Sequence, residues 1–92
     1  MEKIFREKDL EKIISHYGPR LQYIKAMEEM SELTKEICKC LIGDSDPENL
    51  EEEIADVQIM LNQLMLMNNI SSEDIEYQMN LKIQRTISRI GQ

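Results

Sequence analysis

The chain has 92 residues, a formal net charge of −7, one histidine, two cysteines and no tryptophan. The negative charge argues against non-specific nucleic-acid or anionic-membrane binding, and so few aromatic residues argue against a base-stacking platform for nucleic-acid strands. No apolar run approaches the roughly 18 residues of a membrane span, and Met1 to Asp9 lack the apolar core of a signal peptide, so a cytoplasmic protein is expected.

Residues 1–17 carry Ile4, Phe5, Leu10, Ile13 and Ile14. The last three have helical spacing and predict a short helix from about Asp9 to His16. His16 reads as an ordinary C-terminal helix residue beside a turn. Gly18 stops this helix, and Pro19 suits the first turn of the next. The second helix is predicted from about Pro19 to Leu41. Ile24, Met27, Met30, Leu33, Ile37, Cys38 and Leu41 form its apolar face. Glu28, Glu29 and Glu32 are spaced to converge on one flank, with Glu29 bordering Leu33 and Glu28 farther round. That flank is either a solvated acidic face partnered by Lys25 and Lys35, or half of a site. Cys38 and Cys40 point about 200° apart on a helix. They cannot easily bridge each other or share a metal, and they read as reduced thiols.

Gly43 to Pro47 is a loop in which Asp46 reads as the N-cap of a third helix, about Pro47 to Asn68. Its acidic opening, Glu48 and Glu51 to Glu53, is partly explained by the helix dipole. Glu53 and Asp56 lie beyond that first turn. With Glu53 as the zero direction, Val57 falls at about +40°, Met60 at about −20°, Leu64 at about +20°, Met67 at about −40° and Asp56 at about −60°. Two carboxylates therefore share the apolar stripe, whereas Glu51 and Glu52 turn to the polar side with Gln58 and Asn62. The next turn, Asn68 to Ser71, leads to a capping-box pattern in which Asp74 replaces the usual Glu or Gln. A fourth helix follows, about Ser72 to Ile90. It places Ile75, Met79, Ile83, Thr86, Ile87 and Ile90 on one face, with Lys82, Arg85 and Arg89 along its edge. This basic edge suits a polyphosphate. It equally suits snorkelling side chains, or positive charge near a helix C-terminus.

Three long helices and one short one, joined by short loops, predict an all-α, antiparallel helical bundle of about four helices. A chain this size buries only roughly 60–65% of its unfolded surface, so completion by oligomerisation is expected.

Buried carboxylates are very costly unless they are paired, protonated or bound to metal. On consecutive antiparallel helices, Glu29 and Glu32 can face Glu53 and Asp56. Four carboxylates without a counter-charge would raise one another's pKa. Oxygen-only donors suit Mg²⁺, Mn²⁺ or Ca²⁺. With His16 the only histidine, zinc, haem and the paired Glu-x-x-His di-iron pattern are disfavoured. Mg²⁺ on carboxylates commonly shares its sphere with substrate phosphates, for which Lys82 and Arg85 are candidate clamps.

Glu28-Glu29-x-x-Glu32, followed after an interval by Glu52-Glu53-Ile54-Ala55-Asp56-Val57, resembles the signature of the all-α nucleoside triphosphate pyrophosphohydrolases. That superfamily includes the MazG proteins, the dimeric dUTPases and phosphoribosyl-ATP pyrophosphohydrolase, and the similarity spans roughly residues 20–90. The resemblance implies Mg²⁺-dependent cleavage between the α- and β-phosphates of a nucleotide, releasing the monophosphate and pyrophosphate. It implies Glu29, Glu32, Glu53 and Asp56 as metal ligands. Glu28, Glu29 and Glu53 become the catalytic carboxylates, with Glu28 an accessory ligand or the group that orients the attacking water. Asn80, Lys82 and Arg85 are the nearest matches to the family's phosphate-facing residues. A homodimer or homotetramer is implied as well. No aromatic pair is assignable to stacking a base, so base and sugar preference stay open. The competing expectation is a non-catalytic helical interaction module, whose carboxylates pair with Lys82, Arg85 and Arg89 of a partner helix.

Overall fold

A computed structural model describes residues 7–92. Ile4, Phe5 and most of the stretch weighed against a signal peptide lie outside that range. The described residues form four helices and no strand: α1 (Glu7–Tyr17), α2 (Pro19–Leu41), α3 (Pro47–Met67) and α4 (Ser72–Ile90). No described helix is long and apolar enough to cross a membrane.

The helix boundaries follow from local chemistry. α1 is helical from the first described residue, Glu7, which takes in the expected Asp9 to His16, and it ends at Tyr17. Gly18 has φ 90°, a region that costs other residues strain, and its N–H donates to the Ile14 carbonyl at 2.8 Å. Asp46 caps α3 by accepting the Glu48 N–H at 3.0 Å, and Ser71 caps α4 by accepting the Asp74 N–H at 3.1 Å. α3 ends at Met67, one residue before the expected Asn68. Asn69 turns to φ 53°, and the Ile70 N–H closes the end on the Met65 carbonyl at 2.9 Å.

α2 and α3 form an antiparallel hairpin, and α1 packs against both. The buried apolar residues are few: Leu10, Ala26, Val57 and Met60. The face that α2 turns to α3 carries Gln22, Ala26, Glu29, Leu33 and Glu36, a set spanning about 80° of the helix. Gln22, Ala26 and Glu36 are buried, and Glu29 and Leu33 half-buried.

This corrects the sequence-based expectation for α2. Its apolar stripe lies beside the contact face and remains exposed, with Met27 63% and Leu41 84% accessible. Only Leu33 belongs to both sets. The reason lies in α4, which packs along none of the other helices and has no buried residue. Ile75, Met79, Ile83, Ile87 and Ile90 are all exposed. A single chain is therefore a packed three-helix unit with a fourth helix outside it, rather than a closed four-helix bundle.

Leu10 is the one buried residue of α1. Leu10→Ala is expected to cost about 2–5 kcal/mol, read as a fall in the urea midpoint.

Candidate metal centre

Because α2 and α3 run antiparallel, Glu29 comes level with Asp56, and the next turn of α2 comes level with Glu53. One carboxylate oxygen from each of Glu29, Glu53 and Asp56 lies within 4.8 Å of the others. Glu29 and Glu53 are half-buried, and the Glu29 side chain is only 12% exposed.

The electrostatics are those of like charges held together. Burial pushes the Glu29 carboxyl above its ordinary pKa, and a hydrogen bond with Asp56 raises it further. Lys25 opposes this, with its Nζ 3.4 Å from Glu29. The Lys25 ammonium is in turn held above its usual range, first by the hydrogen bond to Glu29 and then by the surrounding negative charge. Glu53 is also raised, by desolvation first and then by the charges of Asp56, Glu29, Glu32 and Glu36. Among the described residues, Glu53 Oε2 is buried without a hydrogen-bond partner. An orphaned oxygen beside two further carboxylates fits a hard divalent cation, which needs oxygen donors and relieves the repulsion.

Glu28 is exposed and pairs with Lys25 at 3.7 Å. Glu32 is exposed and pairs with Lys35 at 3.8 Å, so it stands outside the three-carboxylate group and acts on Glu53 through its charge. The solvated reading of this flank thus describes Glu28 and Glu32, while Glu29 turns inward. Asn80, Lys82 and Arg85 lie exposed on α4. Lys82 and Arg85 form no ion pair with the carboxylates among the described residues.

Glu36 was not anticipated. It is 7% exposed, pairs with Lys39 at 3.2 Å, and leaves Oε1 buried without a partner. It stands one heptad after Glu29, a spacing that returns to within about 20° of the same direction. That interval was the available signal.

The site opens into a cavity of about 530 Å³ between α1, α2 and α3. Lys25, Glu28, Glu29 and Asp56 line one end, and Tyr17, Gln22 and Gln63 line the other. Comparison with protein-family models, curated proteins and solved structures finds no match to this chain.

Proposed function

We propose that this protein is a Mg²⁺-dependent nucleotide pyrophosphohydrolase. The observation that carries the reading is the inward-turned group of Glu29, Glu53 and Asp56, with its unpartnered buried oxygen, at the end of a cavity sized for a small molecule. Those three residues would hold the cation, Mn²⁺ being an acceptable substitute for Mg²⁺, with Glu32 within reach of a water-filled coordination sphere. When bound, such a cation neutralises charge on a phosphate chain and acidifies water. A Glu29 oxygen that the cation leaves free would accept the proton of the attacking water. Glu28, exposed at the same end of the cavity, would orient that water. The water oxygen joins the α-phosphorus, the bond from that phosphorus to the α–β bridging oxygen breaks, and pyrophosphate leaves.

The exposed apolar stripes of α2 and α4 support a homodimer or homotetramer. Large apolar side chains stand exposed along both stripes, and a partner copy would cover them. The same assembly would carry Asn80, Lys82 and Arg85 of one copy toward the phosphate end of another. Ile83→Glu is expected to convert the oligomer to monomers, measured by light scattering coupled to size exclusion. An unchanged mass would remove α4 from the interface.

The function is tested by pyrophosphate release from the eight common ribo- and deoxyribonucleoside triphosphates, with Mg²⁺ and with EDTA. Release that requires Mg²⁺ and favours one nucleotide supports the reading. No release, together with no Mg²⁺-dependent stabilisation, favours the non-catalytic helical module, in which Lys82, Arg85 and Arg89 pair with carboxylates of a partner copy.

A further inference from the structure

Lys25 differs from the other lysines of α2. Lys35 pairs with Glu32 and Lys39 with Glu36, and neither acid belongs to the three-carboxylate group. Lys25 reaches the group itself. Its Nζ lies 3.4 Å from Glu29 Oε1, and the charge of Asp56 also acts on it. Glu28 Oε1 is 3.7 Å from the same nitrogen. Among the described residues, no other cationic side chain pairs with Glu29, Glu53 or Asp56.

The contact is loose. Both distances exceed the roughly 2.7–2.9 Å of a tight charge-assisted bond, so the ammonium is shared between two carboxylates rather than locked on one. The two partners also differ in freedom. The Glu29 side chain is 12% exposed, whereas that of Lys25 is half exposed and lines the carboxylate end of the cavity. A four-carbon stem lets the ammonium move while the backbone stays still. A divalent cation seated on Glu29 would stand a few ångströms from the ammonium, where like charges repel. Glu28, exposed and outside the group, offers the ammonium another carboxylate within its present reach.

We infer that Lys25 and a divalent cation are rivals for Glu29: the ammonium holds Glu29 in the metal-free protein and is released toward Glu28 when the cation binds. The inference rests on the reading of the carboxylate group as a cation site, and not on the reaction performed there. The exchange has two consequences. Lys25 offsets the repulsion among the carboxylates, so α2 and α3 close over them before a cation arrives. Lys25 also sets the cation affinity, because the form that the cation binds is the one in which Glu29 has been given up.

The test is equilibrium binding, which needs no turnover. Mn²⁺ alone is titrated by calorimetry at neutral pH into the wild type, Lys25→Met, Lys25→Arg and Lys12→Met. Lys12 is exposed on α1 and forms no ion pair among the described residues, so its variant controls for the loss of one positive charge. Lys25→Met is expected to bind Mn²⁺ at least threefold more tightly than the wild type, and Lys12→Met as the wild type does. Lys25→Arg is expected to bind at least twofold more weakly, since a guanidinium grips a carboxylate through two parallel bonds. In EDTA, Lys25→Met is expected to melt a few degrees below the wild type, the scale of a partly exposed ion pair in a domain of this size. Saturating Mn²⁺ is expected to close that gap, whereas a purely structural ion pair would leave it open. Wild-type affinity in Lys25→Met or in Lys25→Arg, or a gap that persists with the metal bound, overturns the exchange and leaves the cation centre standing. No Mn²⁺ binding by any of the four proteins overturns the exchange and removes the metal reading with it.

Discussion

Glu53→Gln and Asp56→Asn are each expected to lower Mg²⁺-dependent pyrophosphate release by more than about 100-fold, a loss at least as large as those seen for residues that merely support a metal ligand. Circular dichroism should show the same helix content as the wild type. Without metal, Glu53→Gln should melt at or above the wild-type temperature, because it removes a carboxylate that four neighbouring acids repel. The two results together separate a ligand from a structural residue: a core residue would lose stability along with activity. A folded Glu53→Gln with wild-type turnover would sink the assignment of the centre.

Magnesium itself should produce the second large effect. A ligand that binds only the folded state adds about 2.7 kcal/mol at 100 times its dissociation constant. For a domain of this size that corresponds to a rise in melting temperature of roughly 10–20 °C. The rise should be absent in Asp56→Asn. Its pH dependence has a definite sign. Glu29 and Glu53 bind protons more tightly in the folded protein than an ordinary glutamate does. Their contribution favours the fold below the ordinary carboxylate range and is lost as pH rises through their raised folded values. The metal-free protein should therefore melt at a lower temperature near neutrality than in mild acid. Protons and Mg²⁺ compete for the same oxygens, so the stabilisation by Mg²⁺ should grow over that same rise in pH. A melting temperature indifferent to Mg²⁺ at neutral pH would leave the carboxylates as partners for cationic side chains.

Much of the local structure was legible in the residues alone. Gly18-Pro19, Asp46-Pro47 and Ser71-x-x-Asp74 set helix boundaries through backbone chirality and capping, which act within a few residues and need no tertiary partner. The inward direction of Glu53 and Asp56 was legible for a similar reason. They share a stripe with Val57 and Met60, which are buried, and helical geometry alone puts them on one side.

Tertiary structure decided which face of α2 meets α3. Hydrophobic periodicity pointed to Ile24, Met27, Ile37 and Leu41, yet the contact runs through Gln22, Ala26, Glu29, Leu33 and Glu36. Periodicity reports that a face needs covering; it does not say whether the cover is the next helix of the same chain or another molecule. Here α4 leaves that stripe open, and the small Ala26 sits buried in the adjoining face instead. The same choice turned Glu29 inward and Glu32 outward, although only about 60° separates them on the helix. It also enclosed Gln22 and Gln63, although glutamine is mostly found at protein surfaces. Helix ends and the direction of each side chain are properties of a few consecutive residues, and the sequence by itself determined them. The pairing of faces depends on all the surfaces competing for burial, and only the folded chain decided it.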